Sequence, residues 1–149
     1  MSERKVIVFQ LRDEEYAVPV TQVGSIERVM PITRVPQTAP YVKGVINLRG
    51  VVTPIIDLRL RFGMEETVFS ESTRILIIYY EDMAVGLIVD SANDVIDIPE
   101  DRIEPRPEIN GAVNVDYIEG VFQIDRRLLI LLDLHKVLVD HNLKQAVEG

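Results

Sequence analysis

The chain has no cysteine, so it can build no disulfide framework and offers no thiolate chemistry. Histidine occurs twice, as His135 and His141, and a metal site needs three or four ligands in reach; the spacing supplies no third candidate for either. No stretch approaches 18 apolar residues, which excludes an expected membrane-spanning helix. The opening Met-Ser-Glu-Arg-Lys runs straight into a strand-like apolar segment without the apolar core of a secretory signal, so a cytoplasmic location is expected. No basic run is present and the net charge is −8, so nucleic acid and direct membrane insertion are not expected. Aromatic residues are only 6%, too few for a barrel that stacks single-stranded bases. No glycine-rich loop precedes a helix, and Asn47-Leu-Arg-Gly50 is neither a Walker nor a Rossmann signature. The acidic pairs Glu14-Glu15, Glu65-Glu66, Glu81-Asp82 and Glu100-Asp101 fall in predicted turns, where carboxylates are solvated and poorly suited to acid–base work. No nucleophile–base pair is found. No catalytic set, metal or cofactor is therefore expected.

What the chain does have is a repeat. Tyr41-Val-Lys-Gly-Val-Ile-Asn-Leu-Arg-Gly-Val-Val-Thr-Pro-Ile-Ile-Asp-Leu58 returns 76 residues later, from Tyr117 to Leu134, with Tyr, Gly, Val, Asp and Leu in the same places. A weaker echo precedes it. The apolar runs Val6 to Leu11 and Tyr16 to Val20, joined by charged residues, match Ile75 to Tyr80 and Met83 to Val89, with Ala17-Val18 laid on Ala84-Val85. Pro31 to Pro36 is laid on Pro99 to Glu104, so that Arg34 matches Arg102. Short runs broken every eight to twelve residues by Gly, Pro and charged turns argue for barrels or a sandwich. Pro54 cannot donate to a ladder, which places it at an edge or a bulge. Helical patterning starts at Asp57 and Asp133, each a plausible N-cap. The first helix is stopped by Gly63 and the second is expected to run about two turns to Val139.

A half of roughly 70 residues would bury too little surface to stand alone. One domain of two intertwined barrel subdomains is therefore expected, with halves over about 6–62 and 74–139, a polar hinge at Gly63 to Ser72, and a frayed tail over 140–149. A seam between lobes is a place to bind. Val20, Val23 and Ile26 share one apolar face if their segment is a helical turn, as core or as lining of that seam. Gly44 and Gly120 read as turn glycines with positive φ or close backbone approach. Arg49 projects from the turn between two apolar strands, where it either pairs with a nearby carboxylate or shapes a recognition surface.

The tract from Val42 to Leu58 resembles the core motif of the CheW family of bacterial chemotaxis coupling proteins. Asp13-Glu-Glu-Tyr16, Arg34-Val-Pro36 and Gly86-Leu-Ile-Val-Asp90 resemble the family at matching spacing, and the likeness covers about residues 6–140. The resemblance implies an all-β fold of two SH3-like five-stranded β-barrels sharing a hydrophobic core, with short helices including one near the C-terminus. It implies a non-enzymatic adaptor, monomeric when free. The adaptor would couple methyl-accepting chemotaxis receptors, by their cytoplasmic tips, to the regulatory domain of the CheA histidine kinase in membrane-associated arrays. The module also occurs inside CheA and CheV-type chains, and the length here suits the stand-alone adaptor. An adaptor of the same fold in a twitching or surface-sensing pathway is the alternative. By the resemblance, receptor contacts fall to Val20, Val23, Ile26, Gly44, Asn47 and Arg49, with Ser25 at the position where relatives carry an acidic partner for the arginine. Kinase contacts fall to Arg74 and Ala92, where apolar side chains are usual, and to Ile103, Glu104 and Ile109.

Overall fold

The computed structural model describes residues 2–105 and 115–139. Eleven strands are found among them: β1 (Glu3–Leu11), β2 (Glu14–Pro19), β3 (Val23–Arg28), β4 (Val42–Leu48), β5 (Val51–Asp57), β6 (Arg74–Tyr80), β7 (Met83–Val89), β8 (Ser91–Pro99), β9 (Glu104–Pro105), β10 (Ile118–Ile124) and β11 (Arg127–Leu132). Two short helices, α1 (Leu58–Arg61) and α2 (Leu134–Leu138), follow β5 and β11. The first sheet has the order β8-β1-β2-β11-β10-β9 and the second the order β3-β6-β7-β5-β4. This is the expected all-β fold of two SH3-like barrels, with the two-residue β9 as a sixth strand in the first.

The barrels do not coincide with the two halves of the chain. Each hairpin that opens a half inserts into the barrel built by the other half. The β1–β2 hairpin lies between β8 and β11, and the β6–β7 hairpin lies between β3 and β5. The insertion is made by one parallel pairing in each sheet, β11 with β2 and β5 with β7. There Leu131 stands opposite Ala17 and Ile55 opposite Gly86. Since Ile55 and Leu131 are 76 apart, Ala17 corresponds to Gly86, an offset of 69 rather than the 67 read from the Ala-Val dipeptides. The later crossing is offset too: Thr33 pairs with Val45 and Glu104 with Val121, so Thr33 corresponds to Glu104.

This exchange explains why the opening runs are continuously apolar rather than alternating: they are covered on both faces. Val6 and Val8 point into the first barrel with Phe122, Leu129 and Leu131. Ile7, Phe9 and Leu11 point the other way, into a shared core with Leu76, Ile78, Val85 and Leu87. Ile75 and Ile77 fill the second barrel with Ile46, Ile55 and Ile88. Each such fully buried Leu or Ile contributes about 1.5–3 kcal/mol.

The repeat tyrosines meet where the halves join. The Arg61 guanidinium lies 4.9 Å from the ring centres of both Tyr41 and Tyr117, and its Nε donates to the Val137 carbonyl at 2.8 Å. Arg61 and Val137 are themselves 76 apart, so α1 and α2 face each other across the approximate two-fold relation. Asp57 and Asp133 cap these helices as expected. Gly63, at φ +81°, ends the first, while α2 is five residues rather than two turns.

The segment from Gly63 to Ser72, which joins the two halves, is anchored at Thr67. Buried Asp57 accepts the backbone N–H of Thr67 at 3.0 Å and its hydroxyl at 2.8 Å, besides the amides of Arg59 and Leu60. Asp57→Ala is expected to cost about 3 kcal/mol, read as a lower urea midpoint, since it removes a cap and orphans buried donors. Pro54 lies in an interior strand. It sits one residue before the pairing with β7 begins at Ile55, so no N–H is missed on that side.

Candidate functional site

Side chains directly opposite across a ladder share a face, and alternate residues along a strand share a face. Val23 stands opposite Ile78 and Ile26 opposite Leu76, and both partners belong to the shared core. A register shift between Val23 and Ser25 puts Val23 and Ile26 on the same face despite their three-residue spacing. The expected common face is therefore real, but a β-bulge produces it, not a helical turn; only Val20 to Gln22 is helical. Val20 and Val23 pack against the shared core, whereas Ile26 emerges beyond it, 44% exposed.

The same face continues to the other edge of this sheet. Val45 stands opposite Pro54 and Asn47 opposite Val52, in step with Val42 and Ile56 nearer the core. Val52 is 50% exposed and was not picked out from the sequence. The repeat doubles this pattern. Val95 in β8, offset 69 from Ile26, is 60% exposed, and Leu128 in β11, offset 76 from Val52, is 46% exposed. Ala92 takes the place of Val23 and packs on the shared core opposite Phe9. The repeat offset is the sequence signal that could have found both pairs.

Arginines link edge strands to the terminal hairpins. Arg49 Nη2 lies 3.3 Å from Glu27 Oε2, joining the β4–β5 turn to β3. The carboxylate is thus Glu27, not a residue at position 25. In the first barrel Arg127 reaches Glu15 at 2.8 Å and Asp94, the counterpart of Ser25, at 3.0 Å. These carboxylates push the Arg127 guanidinium well above its ordinary proton affinity, the Glu15 hydrogen bond first. Asn47 accepts the Gly50 N–H at 2.7 Å and so braces the turn that carries Arg49. Gly44 is a different matter. It is buried, and the space where a Cβ would point is filled by the Thr33 carbonyl.

Of the residues assigned to the kinase, Arg74 begins β6 and donates through Nη1 to the carbonyls of Glu71 and Thr73. Ile103 packs on the first barrel's interior cluster. Glu104 is exposed and pairs with Val121. Ile109 lies outside the described residues, as does the tail from 140. Among the described residues no group of His, Asp and Glu could hold a metal. His135 is exposed, its Nδ1 3.2 Å from the Tyr80 hydroxyl, and His141 lies outside the described residues. A depression of about 630 Å³ lies between Val29–Ile32 and Glu66–Phe69, and its charged wall, Lys43 with Glu66, is an ion pair. The Lys43 hydrogen bond holds the Glu66 carboxyl below its usual range. Among the described residues no helix is long and apolar enough to cross a membrane.

Residues 5–142 match the family model described as the CheW-like domain. The chain is 49% identical over 144 residues to the chemotaxis protein CheW of Bacillus subtilis, covering 96% of this chain and 92% of that one. It is 37% identical over 133 residues to CheW of Helicobacter pylori, covering 89% and 79%. Among solved structures, the scaffolding protein TtCheW of Thermoanaerobacter tengcongensis superimposes with a TM-score of 0.86 at 33% identity, covering 95% of this chain and 96% of that one. With the family model spanning nearly the whole chain and both barrels superimposing on a solved relative, the chain belongs to the CheW family.

Proposed function

We propose that this chain is a non-enzymatic adaptor that places a CheA-type histidine kinase under the control of methyl-accepting chemotaxis receptors. The observation that carries the reading is the near full-length match to proteins named chemotaxis protein CheW. The geometry supports it. Apolar side chains on one β face, half-buried Val23 and exposed Ile26 beside the Arg49 turn, suit the apolar stripe of a receptor helix. A second, repeat-related face with Ala92, Val95 and Leu128 leaves room for a kinase on the other barrel. A free monomer in the cytoplasm would be recruited to receptor arrays, where many modest contacts add by avidity.

Co-sedimentation with receptor-bearing membranes tests this. Wild type is expected to pellet with receptor, and Ile26→Asp to remain in the supernatant while keeping its unfolding midpoint. Equal pelleting of the two would defeat the receptor assignment. Arg49→Ala separates the two readings of that residue. Its ion pair is exposed at the arginine end (72%), so loss should change stability by less than about 1 kcal/mol. A direct contact predicts weaker receptor binding at unchanged stability; unchanged binding would leave Arg49 as a brace for the turn.

A further inference from the structure

Residues assigned separately to the receptor and to the kinase lie on one strip of the second barrel. Arg28 stands directly opposite Arg74, two residues along β3 from Ile26 and two along β6 from Leu76. Ile26, Arg28 and Arg74 therefore share the outward face. Two cations facing each other across a ladder repel, which is destabilising in the free protein. The chain carries 24 acidic against 16 basic residues, yet neither arginine meets a carboxylate among the described residues. Glu27, between Ile26 and Arg28 in sequence, stands opposite Ile75, on the other face, and is held by Arg49. Arg74 spends only Nη1 on carbonyls, leaving Nε and Nη2. Arg28 is exposed.

We propose that Arg28 and Arg74 together recognise a carboxylate on the receptor helix whose apolar residue packs on Ile26. The spacing sets a condition on that helix. Two residues along a strand span about 6.7 Å, close to the rise of about 6 Å over four helical residues. The acidic side chain therefore belongs one turn from the apolar anchor. The proposal rests on the receptor reading above and adds the chemistry of the partner. A paired cation held apart from internal acids favours specificity and on-rate, and it weakens with salt.

The test uses the full chain and the purified cytoplasmic helical hairpin of a methyl-accepting receptor, with affinity measured across a salt series. Arg28→Gln with Arg74→Gln is expected to lose at least tenfold in affinity and to flatten the salt dependence. Its urea midpoint should hold or rise, because a repulsion is removed. A fall in the midpoint would mark the pair as structural and overturn the proposal. Unchanged affinity and salt slope would overturn it as well, and if Ile26→Asp still abolished binding, the receptor reading would survive. Should Ile26→Asp bind as wild type does, the receptor reading falls and the proposal with it.

Discussion

Gly44→Ala should leave little folded protein, with a cost of at least about 3 kcal/mol. Two causes act together at this position. Gly44 has φ +142°, a conformation that L side chains rarely adopt, and an added Cβ would stand 2.1 Å from the Thr33 carbonyl oxygen and 2.8 Å from its carbon. The obstacle is backbone, and that backbone cannot move away. Thr33 and Val45 exchange both hydrogen bonds at 2.8 Å on the neighbouring residue. The counterpart Gly120 meets the Glu104 carbonyl oxygen at 2.6 Å, where a second strand crosses in the same way. Gly120→Ala should therefore cost less than Gly44→Ala but still be severe. Gly50→Ala is the control. It has φ +86° with nothing within 4 Å, so it pays only the left-handed penalty of about 1–2 kcal/mol. Urea midpoints should rank the variants wild type, Gly50→Ala, Gly120→Ala, Gly44→Ala. A Gly44→Ala protein as stable as Gly50→Ala would contradict the crossing. Gly44 is thus a packing residue in the free protein, so the binding of its variants has to be read beside their stability.

The second large effect concerns the exchanged hairpins. A fragment of residues 1–70 keeps the β1–β2 and β4–β5 hairpins but loses the partners that join them to anything. β1 lacks β8, β2 lacks β11, β3 lacks β6 and β5 lacks β7. Isolated hairpins are marginal in water. The fragment should show no cooperative thermal transition. Ile7, Phe9 and Leu11 would have no shared core to enter. A sharp transition in the isolated fragment would mean that the first half folds by itself and that the exchange is not needed for stability.

Much of this was legible in the residues because a duplicated β unit writes its punctuation twice. The 76-residue offset located β4, β5 and their images β10, β11, and Asp57 and Asp133 marked both helix starts. Which hairpin enters which barrel was not legible. Strand pairing depends on which apolar faces meet, and a run such as Ile75 to Ile78, apolar on both faces, carries no sign of its neighbour. The anchoring of 63–72 was not legible for a related reason: the buried Asp57 carboxylate that holds Thr67 is ten residues away. Val23 and Ile26 share a face, but through a bulge after Val23 that mimics the helical spacing on which that reading depended. Arg28 was missed because its meaning lies in the residue opposite, Arg74, 46 positions on.

An adaptor on two barrel faces must hold both partners at once. Receptor-bearing vesicles, purified kinase and this chain, assayed for kinase autophosphorylation and co-sedimentation, test that most directly. The kinase should pellet with the vesicles and respond to receptor ligand only when the chain is present. Kinase that pellets and responds equally without the chain, or that displaces receptor from it, would contradict the account.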